Sequence, residues 1–597
     1  MSLTVSDYVI KFIEKIKVKN IFTVSGGGSI SLCDALYKSK KIKYICCHHE
    51  QAASFSAEGY ARAKKNIGCA LFTTGPGGTN AITGVASAWI DSVPVLFISG
   101  QVFINQTIQS SKKRQIGVQE IDIISLVKPI TKYSVIVKDP HSIKFHLEKA
   151  YYLSMMGRPG PVWIDIPADI QNSKIEQNKL KSFKIPKITK NKILDNQIQK
   201  IAELLSSAKN PIIHIGHGVR LSKSGDIFRK FISQNKIPFM QTWNADDVIE
   251  DNNNLNMGKP GAFGSRYSNL IIQGADLYLS VGTRLPYMVT GYNSKDFARK
   301  AKIKVMVDID KFELKKNDMK INYKICCDAK YFIQKINFYF KKKQDYSSWI
   351  KYCENLKKKY PIVQKKHYKL KKYVNSYAFI DTLSDNLSKK SIIVTDMGFS
   401  FTTTHQAFKN KKDQLFFTNS GHAPMGWGLP AAIGAASNGQ IFSEVICLTG
   451  EGGFQMNIQE LATLMHNKIP IKIFIFNNGG YLTIKKTQQL GFEGRLMGST
   501  KSSGLSFPNY NKIANSHNIK YFKLENQKMF NTNLKKILSL KGSLICEVMM
   551  DPNEEQEPKA INRKNKNGKS VPTVFEDMYP FLNREEFKKI TLKNNEK

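Results

Sequence analysis

The 597-residue chain is poor in cysteine, poor in acid and without a long apolar run. Its nine cysteines stand alone or as the neighbours Cys46-Cys47 and Cys326-Cys327, and none forms a CxxC pair. A disulfide framework and a thiolate metal knuckle are both excluded, and reduced thiols in a cytoplasm fit. The longest apolar run, near Ile471 to Phe476, is strand-length, far short of the roughly 18 uncharged residues of a membrane span. The opening MSLTVSDYVIKFIEKIKVKN has no continuous apolar stretch and no small-residue cleavage site, so it reads as a first helix and not a signal. Acid is scarce: 48 Asp and Glu face 89 Lys and Arg, a formal charge of +41. Lysines are spread over almost the whole length among many Asn and Ile, and no basic stripe with interleaved aromatics exists, so no nucleic-acid partner is expected. An anionic substrate would still benefit from the field.

What the chain does have is 42% hydrophobic residues over a length too great for one core, which implies several packed α/β units. Short apolar runs such as ALFTT, PVLFISG and PVWIDIP alternate with helical segments, the rhythm of parallel-sheet βα units. This divides the chain into a first domain (1–175), a central domain (190–345), a third domain (370–552) and a covering arm (553–597). Residues 174–194, rich in Lys and interrupted by Pro, read as a linker, and the charged stretch before residue 370 as a helical connector.

Two loop sequences carry chemistry. The run EVICLT breaks into Gly450-Glu451-Gly452-Gly453, and one crossover later IKIFIF breaks into Asn477-Asn478-Gly479-Gly480. Adjacent parallel strands deliver both breaks to one sheet edge. An acid and a carboxamide then face one site, oxygen ligation suited to Mg2+, with glycines that let backbone approach phosphate. In the first domain, ICCHHEQAASFSAEGYARA sets Glu50 where a strand meets a helix in apolar surroundings, a candidate proton donor.

These segments resemble the thiamine diphosphate (ThDP) enzymes. HHEQAA, EGYAR, TTGPGGTNAITGVASAWIDSVPVLFISGQ, GRPGPVWIDIPADIQ, VDIDKFELKK and GEGGFQMNIQELAT together resemble the acetolactate synthase large subunit over nearly the whole chain. The resemblance implies three doubly wound α/β domains (pyrimidine-binding, central, diphosphate-binding). It implies Mg2+ held by Glu451, Asn478 and the backbone of Gly480, with Glu451 standing where the family usually has Asp. Glu50 would promote the cofactor's imino tautomer, with Gln119 near the reacting groups and Met425 beneath the bent cofactor. Further cofactor contacts would come from Gly27, Gly75, Pro76, Asn80, Gly398, Ser400, Ala423, Gly450, Gly452, Gly453, Tyr481 and Leu482.

By the same resemblance, pyruvate would be decarboxylated on the cofactor and its two-carbon unit passed to a second carbonyl compound, giving acetolactate when that is pyruvate. A homodimer or homotetramer would be the working unit, with a regulatory subunit left open. FAD is a candidate for the central domain, at Arg158, Gly216, Gly218, Gly282, Arg284 and Asp308. The acceptor side departs from the family: Thr487 stands where a Trp is expected and Val118 where Phe is common. With Ile484 and Lys259 these residues would form a more open, polar acceptor pocket. A nucleotide-linked keto sugar acceptor is therefore an alternative, and a simple 2-ketoacid decarboxylase a further one.

Overall fold

The structure is a computed structural model and describes residues 2–108, 111–186, 192–316, 318–437, 442, 444–564 and 570–593. Three parallel sheets organise the chain, as the βα rhythm predicts. The first contains β1 (Asn20–Thr23), β2 (Lys43–Cys46), β3 (Gly68–Phe72), β4 (Val95–Gln101), β5 (Tyr133–Ile136) and β6 (Val162–Pro167), in the order β2-β1-β3-β4-β6-β5. The central sheet contains β7 (Pro211–Ile215), β8 (Phe239–Gln241), β9 (Leu277–Val281), β10 (Ile303–Asp308) and β11 (Tyr323–Cys326), in the order β8-β7-β9-β10-β11. The third contains β12 (Ser391–Thr395), β13 (Leu415–Phe417), β14 (Glu444–Gly450), β15 (Ile471–Asn477), β16 (Lys520–Leu524) and β17 (Leu544–Met549), in the order β13-β12-β14-β15-β17-β16. The first and third sheets thus share one strand order.

Every residue of β3, β9 and β12 is buried, which is why these strands read as continuous apolar runs and not as alternating ones. In each sheet the order reverses between the first strand and the third, opening a crevice at the strands' carboxyl ends where α/β proteins bind ligands.

Helix α1 (Glu50–Lys64) of the first domain packs along α2 (Gly428–Ala436) of the third, with the Ser56 hydroxyl donating to the Pro430 carbonyl at 2.8 Å. One apolar core therefore runs from Phe22 and Phe97 to Ile473 and Ile545. Of the residues read as a linker, Lys174–Glu176 instead pair antiparallel with Ser2–Thr4, while 187–191 lie outside the described residues. The charged connector forms a helix, Ser347–Lys359, whose Trp349 is buried against the central domain. The arm packs on that domain too: Phe575 is buried in its core, and Glu576 pairs with Arg299. Among the described residues, no helix is long and apolar enough to cross a membrane.

Candidate active site

The ends of β14 and β15 build a carboxylate cradle. Glu451 opens the short helix after β14 and is 2% exposed, and its Oε1 accepts the backbone N–H of Gly479 at 2.8 Å and of Gly480 at 3.1 Å. Its Oε2 accepts the N–H of Asn478 at 3.1 Å. Burial pushes the carboxyl up to about 7 against the pull of these three donors. Beside it the Asn478 side-chain oxygen is buried with no hydrogen-bond partner among the described residues. A buried acceptor without a donor is costly, and a hard cation is a partner that would satisfy it together with the carboxylate. The donor set therefore fits Mg2+, and the longer Glu side chain is accommodated by folding against the loop it faces. Among the described residues no cluster of three or more His, Cys, Asp or Glu suits a metal, so a single carboxylate supplemented by amide oxygens is the available chemistry.

The wall of the cradle is tightly fitted. A Cβ on Gly452 would lie 2.1 Å from the Tyr481 ring and 2.7 Å from Met425 Cε, so only glycine lets these two side chains meet there. Gly453 faces Asp396, a residue the sequence reading passed over. Asp396 is fully buried after β12, accepts the Gly426 N–H at 3.1 Å and the Thr449 hydroxyl at 3.1 Å, and so ties the Met425 loop to the glycine turn. Burial lifts its carboxyl to about 6. Ala423 donates its N–H to Asn419 Oδ1, Gly398 caps the helix that carries buried Ser400, and Leu482 is buried at the start of helix α3 (Leu482–Gly491). Gly450 faces open space.

On the first domain, Glu50 is 8% exposed at the N-terminus of α1, and Asn80 donates to its Oε2 at 3.0 Å. Asn80, read as a cofactor contact, thus fixes one oxygen of the carboxylate. Pro76 begins the helix of Asn80, and Gly27 lies in an open turn after β1. Gly75 has φ +61 and abuts the Gln119 carbonyl, 2.0 Å from where a Cβ would stand. Gln119 and Val118 are exposed, on a loop held by the buried Glu120 carboxylate through the N–H groups of Ile108 and Ile116. Next to Glu50, Gln51 meets Asn457 of the third domain at 3.4 Å.

The residues assigned to an acceptor pocket lie on separate elements. Ile484 and Thr487 are exposed on α3, with the Thr487 hydroxyl turned onto the Thr483 carbonyl at 3.0 Å. Lys259 is buried elsewhere, and its ammonium bonds both oxygens of Asp246 at 2.8 Å. That pairing supplies its counter-charge.

Five of the six flavin candidates lie around one cavity, and Gly216 stands in the adjoining turn. Arg158, Gly218, Gly282, Arg284 and Asp308 line a cavity of about 680 Å3 between the first and central domains. It lies at the β7/β9 switch point, where the Gly218 N–H donates to the Gly282 carbonyl and the Gly216 N–H to that of Val281, both at 2.9 Å. Arg158 crosses the boundary to Asp310 and Glu313, and burial raises the Asp308 carboxyl.

Comparison with known proteins agrees with this arrangement. Models of the thiamine pyrophosphate enzyme N-terminal TPP-binding, central and C-terminal TPP-binding domains match residues 3–126, 198–336 and 396–548. The chain is 32% identical over 569 residues to the acetolactate synthase large subunit of Cyanidium caldarium, covering 92% of this chain and 94% of that one. It is 32% identical over 555 residues to the Lactococcus lactis protein of the same name, covering 93% of each. A probable acetolactate synthase large subunit of Methanococcus aeolicus is 34% identical over 576 residues, 92% of each chain.

Proposed function

The chain belongs to the family of acetolactate synthase large subunits, enzymes dependent on thiamine diphosphate, and on that premise we propose that it decarboxylates pyruvate and joins the two-carbon unit to a second carbonyl compound. The observation that carries the cofactor half is the partnerless Asn478 oxygen beside the Glu451 carboxylate at two neighbouring strand ends. Glu451, Asn478 and the Gly480 carbonyl would hold Mg2+, and the metal would anchor the diphosphate. When bound, thiamine diphosphate supplies the electron sink that decarboxylation of a 2-ketoacid requires. Glu50 holds or releases a proton at Oε1 while Asn80 fixes the other oxygen. Met425 and Tyr481, which flank Gly452, would form the wall that orients the cofactor's ring.

We assign FAD to the cavity at the β7/β9 switch point, on the support of the five lining residues named above. The working unit is read as a cytoplasmic homodimer or homotetramer.

A second reading, with a nucleotide-linked keto sugar as acceptor, is favoured by the exposed loop at Val118, which is 86% exposed and leaves room for a large acceptor. Product analysis with pyruvate alone, then with a keto sugar nucleotide added, separates the readings. Acetolactate from pyruvate alone at a rate matching any sugar acceptor ends the second. Acetaldehyde as sole product ends both in favour of simple decarboxylation.

A further inference from the structure

Three residues of the third domain, Asn457, Glu460 and Thr463, hold the turn that carries Glu50. Glu460 is fully buried, and its Oε1 accepts the backbone N–H of His48 at 3.0 Å, 412 residues away in sequence. The buried Thr463 hydroxyl lies 2.7 Å from Glu460 Oε2 and 3.1 Å from the Cys46 carbonyl. Asn457, also buried, turns its amide towards Gln51 Oε1 at 3.4 Å. Cys46 and His48 precede Glu50 and Gln51 follows it, so the acid is bracketed from the opposite domain. Within the first domain the His49 ring caps α1 by accepting the Gln51 N–H at 3.1 Å, and Asn80 holds Glu50 Oε2.

The same segment reaches the cofactor side. Asn457 follows directly on the short helix Glu451–Met456 that opens with the metal-cradle carboxylate, and its amide also donates to the Gly426 carbonyl at 2.7 Å, next to Met425. Residues 451–463 therefore touch the cradle, the Met425 loop and the Glu50 turn. A carboxylate is an unfavourable choice for packing alone. Burial raises the Glu460 carboxyl, against the pull of the Thr463 hydroxyl and the His48 N–H, whereas an apolar side chain would fill the interface without that desolvation. What a carboxylate adds is direction, because it fixes where one particular N–H must stand.

We infer that Glu460 is a positioning residue for Glu50: with Thr463 it sets the Cys46–Glu50 turn against the third domain, so that the activating carboxyl is presented to the cofactor's aminopyrimidine in register. It acts through the backbone of His48. The inference rests on the reading of Glu50 as the activating acid and deepens it, since a displacement of about 1 Å at a reacting group lowers its rate by about 100-fold.

The test follows the exchange of the thiazolium C2 proton of bound ThDP for solvent deuterium, by quenched-flow NMR with Mg2+ present and pyruvate absent. The parent is compared with Glu460→Ala, Glu460→Gln, Thr463→Val and Glu50→Gln, and equilibrium dialysis reads ThDP affinity separately. Glu460→Ala should slow exchange about tenfold or more while affinity stays within about twofold of the parent. Glu460→Gln keeps an acceptor for the His48 N–H and should recover most of the rate. Thr463→Val should show a smaller loss, again at unchanged affinity. Unchanged exchange in Glu460→Ala overturns the proposal, as does a slowing matched by an equal loss of ThDP affinity, or a Gln variant no faster than the Ala variant. Exchange in Glu50→Gln as fast as in the parent overturns the reading of Glu50 itself, and is seen without reference to any Glu460 variant. Thermal unfolding verifies that each variant keeps its fold. Where Glu460→Ala does not fold, Thr463→Val decides: slower exchange at unchanged affinity supports the clamp, and unchanged exchange overturns it.

Discussion

Glu58 of the first domain accepts the indole N–H of Trp427, 369 residues away in the third, at 3.0 Å. The same buried carboxylate takes Arg62, Ser87 and Asn419, and Arg62 continues to Asp91, which Asn244 of the central domain also reaches. All three domains thus share one buried polar network. Arg62→Ala would leave Glu58 and Asp91 without their counter-charge, so a loss of about 3–5 kcal/mol is expected in denaturant unfolding. Removing the side chain at exposed Lys174 should leave the midpoint unchanged.

Glu554 tests the arm. Burial pushes its carboxyl up to about 8, although Ser376 and Asn375 donate to it. A carboxyl raised on folding favours its protonated form, so its contribution to stability is complete below the ordinary value of 4.5 and is lost as pH rises through about 8. Glu554→Gln keeps a neutral acceptor there. The variant should show a flatter melting temperature between those pH values than the parent; parallel curves would contradict the assignment.

Asn478→Ala removes the partnerless oxygen without disturbing the backbone donors to Glu451. The Mg2+ concentration needed for half-saturation with ThDP should rise about tenfold or more. Equilibrium dialysis of labelled ThDP reads this independently of turnover, and an unchanged requirement would remove Asn478 from the metal site.

Arg158→Ala opens one wall of the large cavity and frees Asp310 and Glu313. If the cavity holds FAD, the parent should retain flavin absorbance through gentle isolation and the variant should lose most of it on gel filtration. A colourless parent that also fails to bind added FAD would sink the assignment.

The sequence revealed what adjacent positions encode. Glu451 and Asn478 were legible because each follows an apolar strand, and parallel strands one crossover apart end on one edge. Glu58, Asp396 and Glu120 were not, because their partners come from distant segments: Asp396 earns its place only where β12 meets the loops around Gly426 and Gly453. The partner of Lys259 was hidden for the same reason. In sequence it is a lysine in a glycine-rich loop, and only the fold buries it on Asp246. The flavin residues lie in four separate segments, and it was the family resemblance, not spacing, that grouped them before the cavity did.

The most direct measurement follows pyruvate consumption and product identity with ThDP and Mg2+, for the parent and for Glu50→Gln side by side. Loss of the carboxyl that Asn80 fixes should lower turnover by about 100-fold or more while leaving ThDP binding intact. A two-carbon transfer product from the parent and almost none from the variant is the predicted result. Equal rates in the two proteins would contradict the account, because the cofactor would then be activated without the carboxylate we assign to that role.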